Sequence, residues 1–382
     1  MTQTIDNLAP LIGFNSVSAR SNLDIISFLE TYLKDRGFRL RRLPSPCGQK
    51  AGLYAEIGAG EGGIMLSGHT DVVPVEGQDW SRDAFRMTKE DGKIFGRGTT
   101  DMKGYLAAML TAADMAATRR LKEPLKLVFS YDEEFGCVGI QQMLAALSPL
   151  LGTPRACFVG EPTEMRVAVG HKGKAAIRAS CNGQNGHSAL APRFVNALHL
   201  ATDFVSELRG IQNWYANEGQ RDAGYSVAYT TLHVGTLRGG MALNIVADSA
   251  DVTFEYRHLA ADDPEEIMAR LTEAAGAVAR RYHDLFPGAA ITLNRYNAYP
   301  GLDVPRDAPV VTLAQRLAGQ QDITKVAFGT EAGFFSNLGI PTVVCGPGSM
   351  EGQGHKPDEY VEEAQLAACD KMMLRVVEDL EG

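Results

Sequence analysis

Three short apolar runs lead straight into polar side chains, GGIMLSGHTDVV (62–73), LKLVFSYDEE (125–134) and RACFVGEPT (155–163), and a fourth, GIPTVVCGPG (339–348), leads into a glycine-rich loop. Each is too short for a buried helix and too continuous for a strand with one wet face. Each therefore reads as a strand covered on both sides. Segments of helical periodicity lie between them, including SNLDIISFLETYLKDRG (21–37) with its glycine stop and MKGYLAAMLTAADMAATRRL (102–121). Strands alternating with helices predict a mostly parallel sheet in an α/β domain, with helices on both faces and right-handed crossovers.

The pattern changes in the middle of the chain. KAAIRASCNG alternates with period two, NALHLATDFVSELRGIQNWY is helical, and SVAYTTLHVGTL and ADSADVTFEYRHL alternate again. DPEEIMARLTEAAGAVARRYHDLF has an acidic first turn and a basic last turn, as the helix dipole favours, and AAITLNRY closes the set. Strand, helix, two strands, helix and strand make a split βαβ (ferredoxin-like) α+β unit. The expected organisation is 1–171 and 298–382 as one α/β domain, interrupted by an inserted domain at 172–297. With 382 residues the chain is long enough for two cores.

Net charge is −9, which argues against nucleic acid or an anionic membrane surface as a partner. Six cysteines are scattered without a CxxC pair, as in a reduced compartment. The start MTQTIDNLAPLIGF lacks the basic and apolar regions of a signal peptide. No run reaches the roughly 18 apolar residues of a membrane span. These features predict a cytoplasmic protein.

Ligands of open α/β sheets bind at the carboxyl ends of the strands. His69 and Asp71 stand at the first such end, Glu133 and Glu134 at the second, and Glu161 at the third. His355 follows the fourth in the loop GSMEGQGHKP, and Asp101 precedes a helix after IFGRGTTDMKG, where it is also a candidate helix cap. Charged groups are seldom buried unless they are paired or bind metal, so this clustering suggests a cation site. Two imidazoles with three carboxylates suit Zn²⁺, Co²⁺ or Mn²⁺. Five ligands are too many for one tetrahedral ion with an open position. Two divalent ions sharing one carboxylate, Asp101, resolve the count.

HTDVVP, GRGTTDMKG, DEEFG, GEPT, NGHSALAP and GHKPDE together resemble the M20 metallopeptidases, in particular the acetylornithine deacetylase and succinyl-diaminopimelate desuccinylase branch. The resemblance implies that His69 and Glu161 hold one ion and that Glu134 and His355 hold the other. Asp101 would bridge them, and the Asp101–Met102 peptide would be cis. It implies Glu133 as the general base and Asp71 as the group that fixes the His69 tautomer through its far nitrogen. His187 would reach from one subunit into its partner's site to stabilise an oxyanion. The inserted domain would be a lid and the homodimer contact. Asn244, Arg257, Thr330 and Glu331 match positions that face substrate, Arg257 suiting a free carboxylate. The activity implied is removal of acetate from N²-acetyl-L-ornithine in arginine biosynthesis, with Zn²⁺ or Co²⁺ as cofactor. The alternatives are a succinyl-diaminopimelate desuccinylase or another N-acyl-amino-acid hydrolase or dipeptidase, or an inactive metal-binding relative.

Overall fold

The computed structural model describes residues 2–382, which form two compact units. One comprises residues up to Gly170 and Leu302–Gly382; the other is His171–Gly301.

The first unit is built on a nine-stranded sheet. Its centre is parallel: Leu125–Ser130 pairs with Ile64–His69, that strand with Ala156–Pro162, and the latter with Thr342–Gly346. Antiparallel strands flank this centre, Arg39–Pro44 and Ala51–Ile57 on one side and Val167–His171 on the other. Every residue of Ile64–His69, Leu125–Ser130 and Ala156–Pro162 is buried, so both sheet faces are covered. Helix Lys103–Ala117 is buried nearly all round, lying with Thr2–Gly13 and Glu363–Glu381 in a core that includes Leu66, Leu127, Phe158, Met109, Val343 and Met372.

The second unit is a four-stranded antiparallel sheet in which Ser249–His258 and Gly173–Asn182 are central and Thr231–Gly239 and Ala290–Tyr299 are the edges. Helices Ala197–Glu218 and Pro264–Arg280 pack on it around Phe204, Phe254, Tyr256 and Leu271. This is the split βαβ order read from the sequence.

Some features were not foreseen. Helix Thr2–Gly13 opens the chain, and a small sheet joins Tyr360–Glu362, Lys93–Phe95 and Thr88–Glu90. Their short apolar periods give little local signal, and the small sheet pairs segments far apart in the chain. Asp101 does not cap a helix. The cap position before Lys103–Ala117 is Met102, with no side-chain capping bond. The Asp101 carboxylate is used elsewhere.

Candidate metal centre

His69 is the last residue of its strand and is 1% exposed. Its Nδ1 lies 2.9 Å from the Asp71 backbone carbonyl, so Nε2 is the atom aimed at the carboxylates. Nε2 lies 3.0 Å from Asp101 Oδ1 and 3.7 Å from Glu161 Oε1. Burial depresses the imidazole pKa, but Asp101, Asp71 and Glu161 outweigh it and hold it well above the usual value.

The expected Asp71 contact differs in detail. The His69 ring meets the main-chain carbonyl of Asp71, and the Asp71 carboxylate stands 3.5 Å from Nδ1. That carboxylate accepts the Ser18 hydroxyl at 2.6 Å and the backbone N–H groups of Glu133 and Glu134 at 3.1 and 3.3 Å. Asp71 thus anchors the turn bearing both glutamates. Burial favours its neutral form, but His69 and these hydrogen bonds keep its pKa below the usual carboxylate value.

Asp101 Oδ1 faces His69, and Oδ2 lies 3.0 Å from His355 Nε2. One carboxylate therefore stands between two imidazoles. Burial would raise its pKa, but His355 and His69 drive it far down. The Asp101–Met102 peptide bond is cis. His355 sits in its glycine-rich loop at φ 59°, 3.1 Å from Glu134 Oε2. Burial opposes its charge, yet Asp101 and Glu134 push its pKa up to about 11. Glu134 is pushed to about 7, first by burial and then by Asp101. Glu133 and Glu161 are also raised well above the usual carboxylate value, by burial first and by their acidic neighbours. Glu133 also accepts a hydrogen bond from the Cys137 thiol at 3.3 Å.

Glycine precedes two of these residues for a steric reason. A Cβ on Gly160, before Glu161, would lie 1.9 Å from the buried Tyr105 ring. A Cβ on Gly68, before His69, would lie 2.7 Å from Leu106. Both close approaches are to the helix that follows Asp101, so strand ends and helix start converge because these positions lack side chains.

Two sets of ligand atoms lie within 4.8 Å of one another, His69 with Asp101 and Glu134, and His69 with Glu133 and Glu161. The donor chemistry fits divalent cations. Glu133, Glu134, Glu161 and Asp101 crowd together against two imidazoles, and Glu161 Oε1 is buried without a hydrogen-bond partner. A cation would neutralise that excess of negative charge and engage the orphan oxygen.

The remaining expected residues are placed as follows. Thr330 is buried and its hydroxyl accepts the Ala332 N–H at 3.0 Å. Glu331 is 1% exposed, and its Oε1 has no hydrogen-bond partner. Burial lifts its pKa to about 7 against the lowering effect of the nearby Ser130 hydroxyl. In the second unit, His187 is exposed and its Nδ1 accepts the Ala189 N–H at 3.1 Å. It therefore caps a short 3₁₀ turn, and in its neutral form the ring proton is on Nε2. Asn244 is exposed, and its carbonyl accepts the Ser188 N–H. Arg257 donates from Nε to Glu255 at 2.9 Å, and Lys174 also contacts Glu255 at 2.9 Å. Its guanidinium, expected free for substrate, is thus partly engaged within the unit.

Among the buried charges that escaped the sequence reading are an arginine and a glutamate. Arg97 and Glu359 lie 0% and 1% exposed, one inside GRGTTD and the other inside GHKPDEY. A charge embedded in a motif was their only signal.

Imidazoles and carboxylates gathered at the carboxyl edge of a parallel sheet, in a chain with a separate antiparallel unit, define a hydrolase with a candidate metal centre. The chain belongs to peptidase family M20/M25/M40, whose description matches residues 65–379. It is 33% identical over 374 residues to an acetylornithine deacetylase of Shigella sonnei, covering 96% of this chain and 95% of that protein. It is 32% identical, with the same coverage, to an acetylornithine deacetylase of Erwinia tasmaniensis. Its fold is similar to that of the aminopeptidase PepT from Bacillus cereus, with a TM-score of 0.78, 21% identity and coverage of 100% and 99% of the two chains. Among the described residues no helix is long and apolar enough to cross a membrane.

Proposed function

We propose that this protein is a two-cation amide hydrolase that converts N²-acetyl-L-ornithine and water to L-ornithine and acetate. The observation that carries the two-cation reading is Asp101, whose two oxygens each stand 3.0 Å from a different imidazole. In this reading His69 and Glu161 hold one ion, Glu134 and His355 the other, and Asp101 belongs to both. Bound Zn²⁺ or Co²⁺ would supply an acidified water and polarise the acyl carbonyl.

The chain's own groups account for the proton movements. Glu133 stands among the ligands without being needed as one, and a carboxyl so placed can take a proton from water and return it to the leaving amine. As the amide carbon–nitrogen bond breaks, that proton makes the nitrogen a neutral leaving group. Asp71 orients His69 and the glutamate turn. His187 Nε2–H is a free donor suited to an oxyanion, supplied across a homodimer formed by the second unit. Exposed Met241, Leu243 and Ile245 support such an interface, being 91%, 102% and 45% exposed beside the short His187 strand.

The substrate choice is supported by the two deacetylase relatives and by Glu331, a buried carboxyl with an unused oxygen, which we assign to the cationic ornithine side chain. Turnover of a panel (N²-acetylornithine, N-acetylmethionine, N-succinyl-diaminopimelate and a dipeptide) with and without added Zn²⁺ or Co²⁺ tests this. We expect the highest kcat/KM on N²-acetylornithine, loss of activity on chelation, and loss of the ornithine preference in Glu331→Gln. A different best substrate overturns the assignment, and bound metal without turnover of any member favours an inactive relative.

A further inference from the structure

Arg97 and Glu359 form an ion pair with Nη1 2.6 Å from Oε2, both fully buried and neither in the proposed ligand set. The second carboxylate oxygen of Glu359 accepts two adjacent backbone N–H groups, Thr100 at 3.0 Å and Asp101 at 3.1 Å. The Arg97 guanidinium donates to the carbonyls of Lys356 and Pro74, each at 3.3 Å, and to the side-chain oxygen of Gln78. The Gln78 amide in turn donates to the His355 carbonyl at 3.3 Å. Main-chain pairing reinforces the junction, since Gly96 N–H meets the Glu359 carbonyl at 2.9 Å and Phe95 stands opposite Tyr360. One buried pair thus ties together the segment after Asp71, the loop ending in Asp101 and the loop carrying His355.

A buried ion pair is a poor source of stability, because desolvating two charges offsets most of their attraction. Apolar residues of similar volume often serve a fold as well. The contacts of this pair point instead to placement. Glu359 holds the main chain from which the Asp101 carboxylate projects, and Gln78 and Arg97 hold the successive carbonyls of His355 and Lys356, the main chain that leaves the His355 imidazole. Groups that orient metal ligands in this way typically change metal affinity by about 10- to 100-fold when removed.

We infer that Arg97 and Glu359 are a positioning pair that sets the spacing of Asp101 and His355, and with it the affinity for the cation held between them. The inference rests on the two-cation reading above. The pair touches no substrate and acts only through the two ligands.

The test compares the parent protein with Arg97→Met/Glu359→Met, Glu359→Met and Glu359→Gln. Zn²⁺ affinity is read by competition with a chromophoric chelator, the Co²⁺ form by its visible absorption, and the metal-free proteins by thermal unfolding. The double variant removes both charges together, so its metal-free form is expected to unfold near the parent's midpoint. Its Zn²⁺ affinity should fall about 10- to 100-fold with an altered Co²⁺ spectrum. At saturating metal, kcat should fall with little change in KM. Glu359→Gln keeps an oxygen for the Thr100 and Asp101 N–H groups and should retain more affinity than Glu359→Met. A folded double variant with the parent's Zn²⁺ affinity and Co²⁺ spectrum overturns the inference. If the double variant does not fold, Gln78→Leu decides, with weakened Zn²⁺ binding expected and parent-like binding overturning the inference. A parent protein that binds no divalent ion overturns the two-cation reading as well, whereas a parent that binds and variants that match it overturn only the positioning pair.

Discussion

Asp101 and Glu133 are both acids in a buried, acid-rich site, yet their surroundings drive them in opposite directions. Asp101 has an imidazole at each oxygen, which drives its pKa far down against burial; the pKa of Glu133 is raised, first by burial and then by Glu134, Asp101 and Glu331, against the lowering effect of His69. Glu133 also lies within ligating reach of His69 and Glu161, so its proposed role as base needs a test that separates the two. Glu133→Gln should lower kcat by about 10²- to 10⁴-fold while Zn²⁺ stoichiometry stays at the parent value. A loss of bound metal in that variant would make Glu133 a ligand instead. At this scale the sequence reveals which chemical groups are available, since a histidine or glutamate at the end of an apolar run has few structural uses. It does not reveal which atom of Asp71 meets the His69 ring. That choice turns on backbone geometry after the strand, and the carbonyl took the place expected for the carboxylate.

The strands and long helices followed from their periodicity because each buries a face that repeats locally. The pieces that periodicity missed are short, and the small sheet through Tyr360–Glu362 is held by pairing rather than propensity. Strand ends also carry a prediction outside the centre. His171 ends strand Val167–His171, with Nδ1 bonded to the Lys172 carbonyl and Nε2 buried without a partner. Burial lowers its pKa from 6.5 to about 4. The folded form thus excludes a proton that the unfolded chain takes up below 6.5. The sign is fixed: no penalty exists above the unfolded value, and stability is lost as pH falls through 6.5 toward 4, by at most ~3 kcal/mol. Between pH 7 and 4.5 the thermal midpoint of His171→Gln should therefore fall less than the parent's. Parallel slopes would remove His171 from the acid response.

Across the whole molecule, the proposed catalytic set draws on both units: His187 lies in one, and the five candidate ligands with Glu133 lie in the other. If His187 acts across a dimer, two inactive variants can complement each other. Mixing His187→Ala with Glu133→Gln under subunit exchange would leave one intact site in each mixed dimer, or about a quarter of parent activity from random assortment. No recovery, or a monomeric mass by light scattering, would end the cross-subunit proposal.

The amino-acid order alone determined the alternation of strands and helices, the inserted split βαβ unit and the supply of imidazole and carboxylate groups at strand ends. Those properties are written in local periodicity and in the burial cost of charge. Tertiary structure alone decided that Asp101 stands between His69 and His355, and that Arg97 and Glu359 lie against each other. The Glu359 contacts join residues 258 to 262 positions apart. Only the packed sheet and its loops bring such residues together, because no local preference acts over that distance.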